Sequence, residues 1–295
     1  MTTILVTGAT GSVGARLVNE LRTKGQNVRA LVHHPYHAAK LDGSGAQLVL
    51  ADFADPTSVR AALDGVDAVF LACGNVPDQV AYECAVIDEA KGAGVQRIVK
   101  LSARGAAVGS RVAYWDWHGL IERRLQASGM AATVLRPSFL MTNLLAAAKP
   151  VQQQGMVFAP AAGARISMVD PRDVAAVAAV ALTTTGHQGR TYVLTGPVAI
   201  TYQQVAQDLS AATGRSIDFV DIPPEVATVA LIEAGLPQFA AEQVVTVFGE
   251  LRAGVQWETT DTVRVLTGHP ARPFAVFARD HADAFRGAVA TISPG

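Results

Sequence analysis

The chain has 295 residues, half of them hydrophobic, and a formal charge of −1. That length suits one large α/β domain or somewhat more, and the apolar share excludes a disordered chain. A near-neutral balance with no like-charged block excludes a broad nucleic-acid or anionic-membrane face, and two cysteines, Cys73 and Cys84, make no disulfide framework.

Met1-Thr-Thr-Ile-Leu-Val has no cationic segment and runs straight into a strand at 3–7. No signal peptide is expected, and a cytoplasmic location follows. Next comes Thr7-Gly8-Ala9-Thr10-Gly11-Ser12-Val13-Gly14, three glycines spaced G-x-x-G-x-x-G between that strand and an amphipathic helix near 12–24. At such a junction Gly8 permits the tight turn, Gly11 lets backbone approach a pyrophosphate, and Gly14 lets helix and strand pack closely. The helix amino terminus then offers unpaired N–H groups and partial positive charge to phosphates.

Further strands are expected at 27–32, 47–50, 67–73, 96–101 and 131–136, with helices near 56–64, 77–93 and 113–128. Strands alternating with helices indicate βαβ units and a parallel sheet. The continuously apolar run Ala68-Val-Phe-Leu-Ala72 suits a strand buried on both faces. After Pro137 the pattern loosens: a helix near 138–149, a Gly/Pro/Ala-rich stretch at 155–164, a strand–helix unit at 166–185 and a strand at 191–194. Helices dominate beyond 201, punctuated by Pro223-Pro224, Pro237, Pro270 and Pro273. The longest apolar run, Val174 to Leu182, is too short to span a membrane.

The fold class expected is α/β: a Rossmann-type doubly wound parallel sheet with a smaller, mostly helical carboxy-terminal region. A dinucleotide-binding domain is assigned to 1–155 and a substrate-binding region to 156–295, with the strand at 191–194 returning to the main sheet. Ligands in such folds bind beyond the carboxyl ends of the strands, so substrate is expected between that edge and the carboxy-terminal segment.

Several segments together resemble the NmrA-like branch of the atypical short-chain dehydrogenase/reductases. They are Gly8-Ala-Thr-Gly-Ser-Val-Gly, Val28-Arg-Ala-Leu-Val, Ala93-Gly-Val-Gln-Arg-Ile-Val, Leu101-Ser-Ala, Leu135-Arg-Pro-Ser-Phe, Met168-Val-Asp-Pro-Arg-Asp-Val-Ala and Tyr192-Val-Leu-Thr-Gly-Pro. The likeness runs over about residues 1–225; the remainder is generic. It implies an NADP or NAD site made by Gly8, Thr10, Gly11, Ser12, Val13 and Gly14. It also implies an adenine contact at Asp52-Phe53, backbone along the cofactor at Ala72-Cys73-Gly74, and a segment by the nicotinamide and substrate from Pro137 through Phe139, Met141 and Asn143. His33 stands where the family often has arginine. With no acid at the end of the second strand, and with Arg29, His33 and His34 nearby, NADPH is favoured over NADH. Asp55 is read as a helix cap, and Asp170 and Asp173 as structural.

A reductase of this superfamily uses a Ser/Thr after the fifth strand, a Tyr as proton donor and a Lys four residues on. Ser102, Tyr114 and His118 take these places, so a histidine replaces the lysine. A neutral imidazole supplies little of a lysine's fixed charge. The proton donor is then either Tyr114 or His118, and an imidazole in that role would titrate near pH 6–7. Trp115 and Trp117, flanking Asp116, offer a stacking wall for a flat aromatic ligand. The seven histidines show no metal-ligand spacing and no G-x-S-x-G elbow is present, so neither metal nor hydrolase chemistry is expected.

The expected activity is NAD(P)H-dependent oxidoreduction of a planar quinone-, naphthol- or anthrol-type substrate. It would proceed by hydride transfer to a quinone or by oxygen-dependent ring hydroxylation in aromatic polyketide tailoring. The competing class is a non-catalytic redox sensor that binds dinucleotide. The partner expected is a small aromatic molecule, with no nucleic acid and no membrane; a homo-oligomer is compatible with the sequence.

Overall fold

The structure, a computed structural model, describes residues 2–286. Its strands are β1 (Thr3–Val6), β2 (Asn27–Val32), β3 (Gln47–Leu50), β4 (Ala68–Leu71), β5 (Arg97–Leu101), β6 (Ala131–Pro137), β7 (Met156–Ala159), β8 (Thr191–Leu194) and β9 (Asp218–Asp221). Its helices are α1 (Gly14–Thr23), α2 (Pro56–Leu63), α3 (Gln79–Gly92), α4 (Ala113–Ser128), α5 (Ala148–Gln154), α6 (Pro171–Thr183), α7 (Tyr202–Thr213), α8 (Pro224–Glu233), α9 (Gln238–Arg252), α10 (Thr262–Thr267), α11 (Phe274–Asp280) and α12 (Ala282–Arg286). Two units share them. The first takes the chain up to Pro137, then Pro171–Leu194 and Asp261–Pro270; the second takes Ser138–Asp170, Thr195–Thr260 and the described residues from Ala271 on.

The first unit holds a seven-stranded parallel sheet in the order β3-β2-β1-β4-β5-β6-β8. All four residues of β4 are buried, as its unbroken apolar run requires. Leu5, Val69, Leu71 and Ile98 meet α2, α3 and α4 in one apolar cluster through Val59, Leu63, Val86, Ile87, Ile121 and Leu125. Against the other face lie α1, which buries Gly14, Leu17, Val18 and Leu21 at helical spacing, and the alanine-rich α6. The fold class and the return of 191–194 to the sheet stand as read from the sequence, since β8 pairs with β6 from Val134↔Thr191 to Pro137↔Leu194.

The second unit packs α5, α7, α9, α11 and α12 around Tyr202, Phe248, Phe274, Phe277 and Phe285. Beside them runs a parallel pair, β7 with β9, from Met156↔Asp218 to Ala159↔Asp221. These two strands are not expected from the Gly/Pro/Ala-rich stretch at 155–164 or from the mostly helical region beyond 201. Each is four residues long and finds its partner about sixty residues away in sequence, beyond any local pattern. The helix expected at 138–149 is a 3-10 turn at Met141–Ala147 followed by α5. Pro150 explains the break, because an α-helix cannot run through a proline except in its first turn. The strand expected at 166 reduces to an isolated bridge, Ile166↔Ile200. The change of unit falls at Pro137, not near 155.

Candidate active site

Thr7 ends β1 and fixes the glycine turn. Its Oγ1 accepts from the Ala72 amide at 2.8 Å and donates to the Ala72 carbonyl at 2.8 Å, which ties the carboxyl ends of β1 and β4 together. Gly8 turns the chain at φ +58°, and a Cβ there would sit 3.1 Å from the Ala72 carbonyl oxygen. At Gly14 a Cβ would lie 2.1 Å from the Gly8 carbonyl oxygen, so only glycine lets α1 begin against the turn. Gly11 differs: it is exposed and outside the left-handed region, and a Cβ would meet nothing nearer than 3.2 Å. The fold demands glycine less strictly there than at Gly14, and the exposed backbone suits close approach by a pyrophosphate. Thr10 and Ser12 are half-buried beside it, and the amides of Ser12 and Val13 have no acceptor among the described residues. Open backbone and free amides at a helix amino terminus fit a pyrophosphate, so NADP or NAD is the cofactor this turn suits.

At the end of β2, His33 and His34 are exposed. His33 Nδ1 lies 3.7 Å from Asp52 Oδ1, so the carboxylate that β2 lacks is supplied by the end of β3. Asp52 also accepts from the Ala54 amide at 2.9 Å, and the Phe53 ring stands edge-on to Tyr82 with centroids 6.4 Å apart. Arg29 is directed elsewhere, its Nη1 donating to the Ala62 and Asp64 carbonyls at 2.7 and 2.8 Å, and is no phosphate ligand. Asp55 caps α2 through the Thr57 amide, as expected. After β4, Ala72 is buried, Cys73 half-buried and Gly74 exposed. Burial, and then Glu83, push the Cys73 thiol up to about 11, so it is no nucleophile at neutral pH.

Tyr114 and His118 lie on α4 and Ser102 directly after β5, and each has its own partners. Positions 114, 118 and 122 follow one another at i, i+4 on α4, and 100 and 102 share one side of β5. His118 is 8% exposed, and its Nδ1 lies 3.3 Å from Lys100 Nζ. Lys100 is wholly buried on β5, 2.7 and 3.1 Å from the two carboxylate oxygens of Glu83, which is wholly buried on α3. Gln79, one turn earlier on α3, donates to Glu83 Oε1 at 3.0 Å. The lysine charge missing from α4 thus reaches His118 from β5. Burial, then Lys100 and Arg136, hold His118 well below its ordinary value. It is neutral at physiological pH, which corrects the expectation of a titration near pH 6–7.

Ser102, also buried, donates to Glu122 Oε1 at 2.5 Å; the two oxygens of Glu122 in turn accept from Arg136 Nε at 3.0 Å and Nη2 at 2.5 Å. Tyr114 is half-buried and edge-on to Trp117, with centroids 5.4 Å apart. Burial pushes its hydroxyl up, and no cation is among the causes, so α4 does not rebuild a tyrosine activated by lysine. Trp115 is buried with its ring across Gly105, where a Cβ would be 2.7 Å from Trp115 Cδ2. That corrects the paired-indole wall: Trp117 alone remains half-exposed. Pro137 is buried and its carbonyl accepts from the Arg104 amide at 2.8 Å. In the second unit Phe139 is half-buried 6.4 Å from Phe248, Asn143 is exposed, and Met141 is enclosed in the core at 1% exposure, which removes it from the substrate contacts.

Lys100, Glu83, Glu122 and Arg136 were missed from the sequence. One signal was present: Lys100 interrupts an apolar strand, and a lysine is almost never wholly buried unless paired. Among the described residues no group of three or more His, Cys, Asp or Glu could hold a metal ion, and no helix is long and apolar enough to cross a membrane.

Sheet order, glycine turn and free amides define a dinucleotide-binding protein of the Rossmann type. The NmrA-like family model matches residues 1–265, and the chain belongs to that family. It is 39% identical over 282 residues to the NAD(P)H azoreductase of Xenophilus azovorans, covering 96% of this chain and 99% of the relative. It is 38% identical over 289 residues to a (4-alkanoyl-5-oxo-2,5-dihydrofuran-3-yl)methyl phosphate reductase of Streptomyces griseus, covering 96% and 99%. The structure of an NADPH-dependent quinone oxidoreductase from Escherichia coli, complexed with NADPH, matches with a TM-score of 0.86 and 28% identity over 95% of this chain and 100% of that one.

Proposed function

We propose that the protein is an NAD(P)H-dependent reductase of planar, conjugated acceptors of the quinone or hydroxyaryl-azo kind. The observation that carries this reading is the neutral, buried His118, held against Lys100 at the carboxyl edge of β5. NAD(P)H, when bound, supplies the hydride. The residues that would hold it are the turn from Gly8 to Gly14, with His33, Asp52 and Phe53 on the adenosine side and Ala72 to Gly74 along the chain. His118 donates a hydrogen bond, and then a proton, from Nε2 to the reduced oxygen or nitrogen. Ser102 positions this end of α4 through Glu122 and Arg136.

The proton machinery selects the acceptor. A neutral imidazole is a weak acid, and the Tyr114 hydroxyl is pushed up rather than down. Reduction of a plain ketone needs strong protonation help, because an alkoxide is very basic. A quinone, or a hydroxyaryl azo compound in its quinone-hydrazone tautomer, leaves a stabilised anion that needs little. The named relatives agree in class: azo, quinone and unsaturated-lactone reductases.

The test is NAD(P)H consumption against quinones, hydroxyaryl azo compounds, naphthols and ketones, with and without oxygen. Turnover of the first two, unaffected by oxygen and reduced about 10²-fold or more in His118→Ala, is expected. Oxygen uptake matching NAD(P)H loss on naphthols would replace the reading with ring hydroxylation. Tight dinucleotide binding without turnover would replace it with a sensor.

A further inference from the structure

We infer that Lys100 and Glu83 form a buried proton relay behind His118, which fixes the imidazole as the Nε2–H tautomer and refills Nδ1 as Nε2 gives up its proton. The inference rests on the reading of His118 as proton donor and assigns it a supply.

Lys100 Nζ has three neighbours: the Glu83 carboxylate, the Leu101 carbonyl oxygen and His118 Nδ1 at 3.3 Å. As an ammonium it can only donate, so Nδ1 must accept. If the shared proton instead sits on Glu83, the amine directs its lone pair at that carboxyl and still has two hydrogens, for Leu101 and for Nδ1. In either form Nδ1 is the acceptor and Nε2 carries the ring proton. Nε2 has no hydrogen-bond partner among the described residues. Nε2 is not enclosed like an unpaired core atom: Nδ1 is held by Lys100 inside the protein, and Nε2 is left on the accessible side of the ring.

The step balances in protons alone. The substrate, already reduced by the two electrons of the hydride, takes the Nε2 proton; Nδ1 takes one from Lys100 Nζ as the ring changes tautomer. The imidazole stays neutral throughout, and no imidazolate forms. The Lys100–Glu83 pair is left one proton short and regains it from solvent. Among the described residues the charged groups that act on His118 are Lys100 from β5, paired with Glu83 of α3, and Arg136 of β6, paired with Glu122 on α4 itself.

The experiment combines ¹⁵N NMR of the imidazoles with kinetics. With seven histidines in the chain, His118→Gln assigns the His118 signals by their loss. Without cofactor or substrate, the folded protein should show Nε2 protonated and Nδ1 an acceptor. In Glu83→Gln/Lys100→Met, which removes both charges together, Nδ1 should lose its donor and the ring should become a mixture of tautomers. The kcat of that variant should fall at least about tenfold, with KM for NADPH unchanged. A protonated Nδ1 in the wild-type protein overturns the inference even if the double variant fails to fold. So does a folded double variant with unchanged kcat and tautomer. Full turnover in His118→Ala would instead remove the donor reading beneath it, and the substrate-free tautomer measurement tells the two failures apart.

Discussion

Gly11 and Gly14 stand three residues apart yet answer to different demands. A Cβ on Gly14 would press into the Gly8 carbonyl at 2.1 Å, while one on Gly11 would touch the same oxygen at 3.2 Å, a tight contact that a small backbone shift relieves. Gly14→Val should therefore destabilise the first unit by about 3 kcal/mol, the scale of a forced backbone shift. Gly11→Val should melt much closer to the wild-type protein than Gly14→Val does, and lose at least tenfold in dinucleotide affinity, roughly 1.4 kcal/mol. Melting curves beside calorimetric titration with NADPH check both; an unchanged dissociation constant in Gly11→Val would detach the turn from the cofactor. The glycine turn was legible because its spacing and its strand–helix setting lie within eleven residues. Specificity at His33 was less so. The sequence places no acid at the end of β2, but Asp52 arrives from β3 to 3.7 Å, and a neighbour across a sheet has no signature in local order. That carboxylate weighs against a phosphate beside His33, so the expected preference for NADPH loses part of its basis.

Along β5, alternation puts Ile98 and Lys100 toward α3 and α4. The apolar run made the strand readable and the helical period placed Tyr114 and His118 on one side of α4. Neither could reveal that Lys100 would meet Glu83, seventeen residues earlier on another helix. The arrangement has a consequence for stability. His118 takes up a proton near its ordinary value of about 6.5 when unfolded, but well below it when folded. Between those values the unfolded state holds more protons, so stability falls as pH falls below about 6.5, by up to about 1.4 kcal/mol per pH unit from this group. Glu83, raised by burial, acts oppositely in the acid range, so a comparison with His118→Gln is needed to isolate the histidine. In a Trp257→Phe background the remaining tryptophans, Trp115 and Trp117, both lie on α4 and report the first unit alone. Denaturant unfolding followed by their fluorescence at pH 7 and 5.5 should show a larger loss of stability where His118 is kept than in the His118→Gln variant. Equal losses would mean that the folded protein does not hold His118 neutral.

Across the whole molecule, the sequence suggests a contiguous dinucleotide domain over 1–155, whereas the first unit is assembled from three stretches of chain. A fragment of residues 1–155 would lack α6 and β8. Without α6, the face it covers on β4, β5 and β6 is bare; without β8, β6 becomes an open edge. That fragment should aggregate, show no cooperative melt and bind NADPH too weakly for calorimetry. The excursions into the second unit, by contrast, leave and return side by side. The Val169 amide donates to the Phe139 carbonyl at 3.0 Å, and the Thr260 amide to Thr195 Oγ1 at 2.9 Å. Short linkers should therefore span Pro137 to Pro171 and Leu194 to Asp261. A chain of 1–137, 171–194 and 261–270 joined in that way keeps every strand of the large sheet, together with the residues from Gly8 to Gly74 expected to hold the dinucleotide. It should fold and gain about 2.7 kcal/mol from ligand at a hundred times its dissociation constant, as a site wholly within that unit requires. Native affinity in the 1–155 fragment would show that α6 and β8 are dispensable. Loss of affinity in a folded, linked chain would show that the second unit contributes to holding the cofactor.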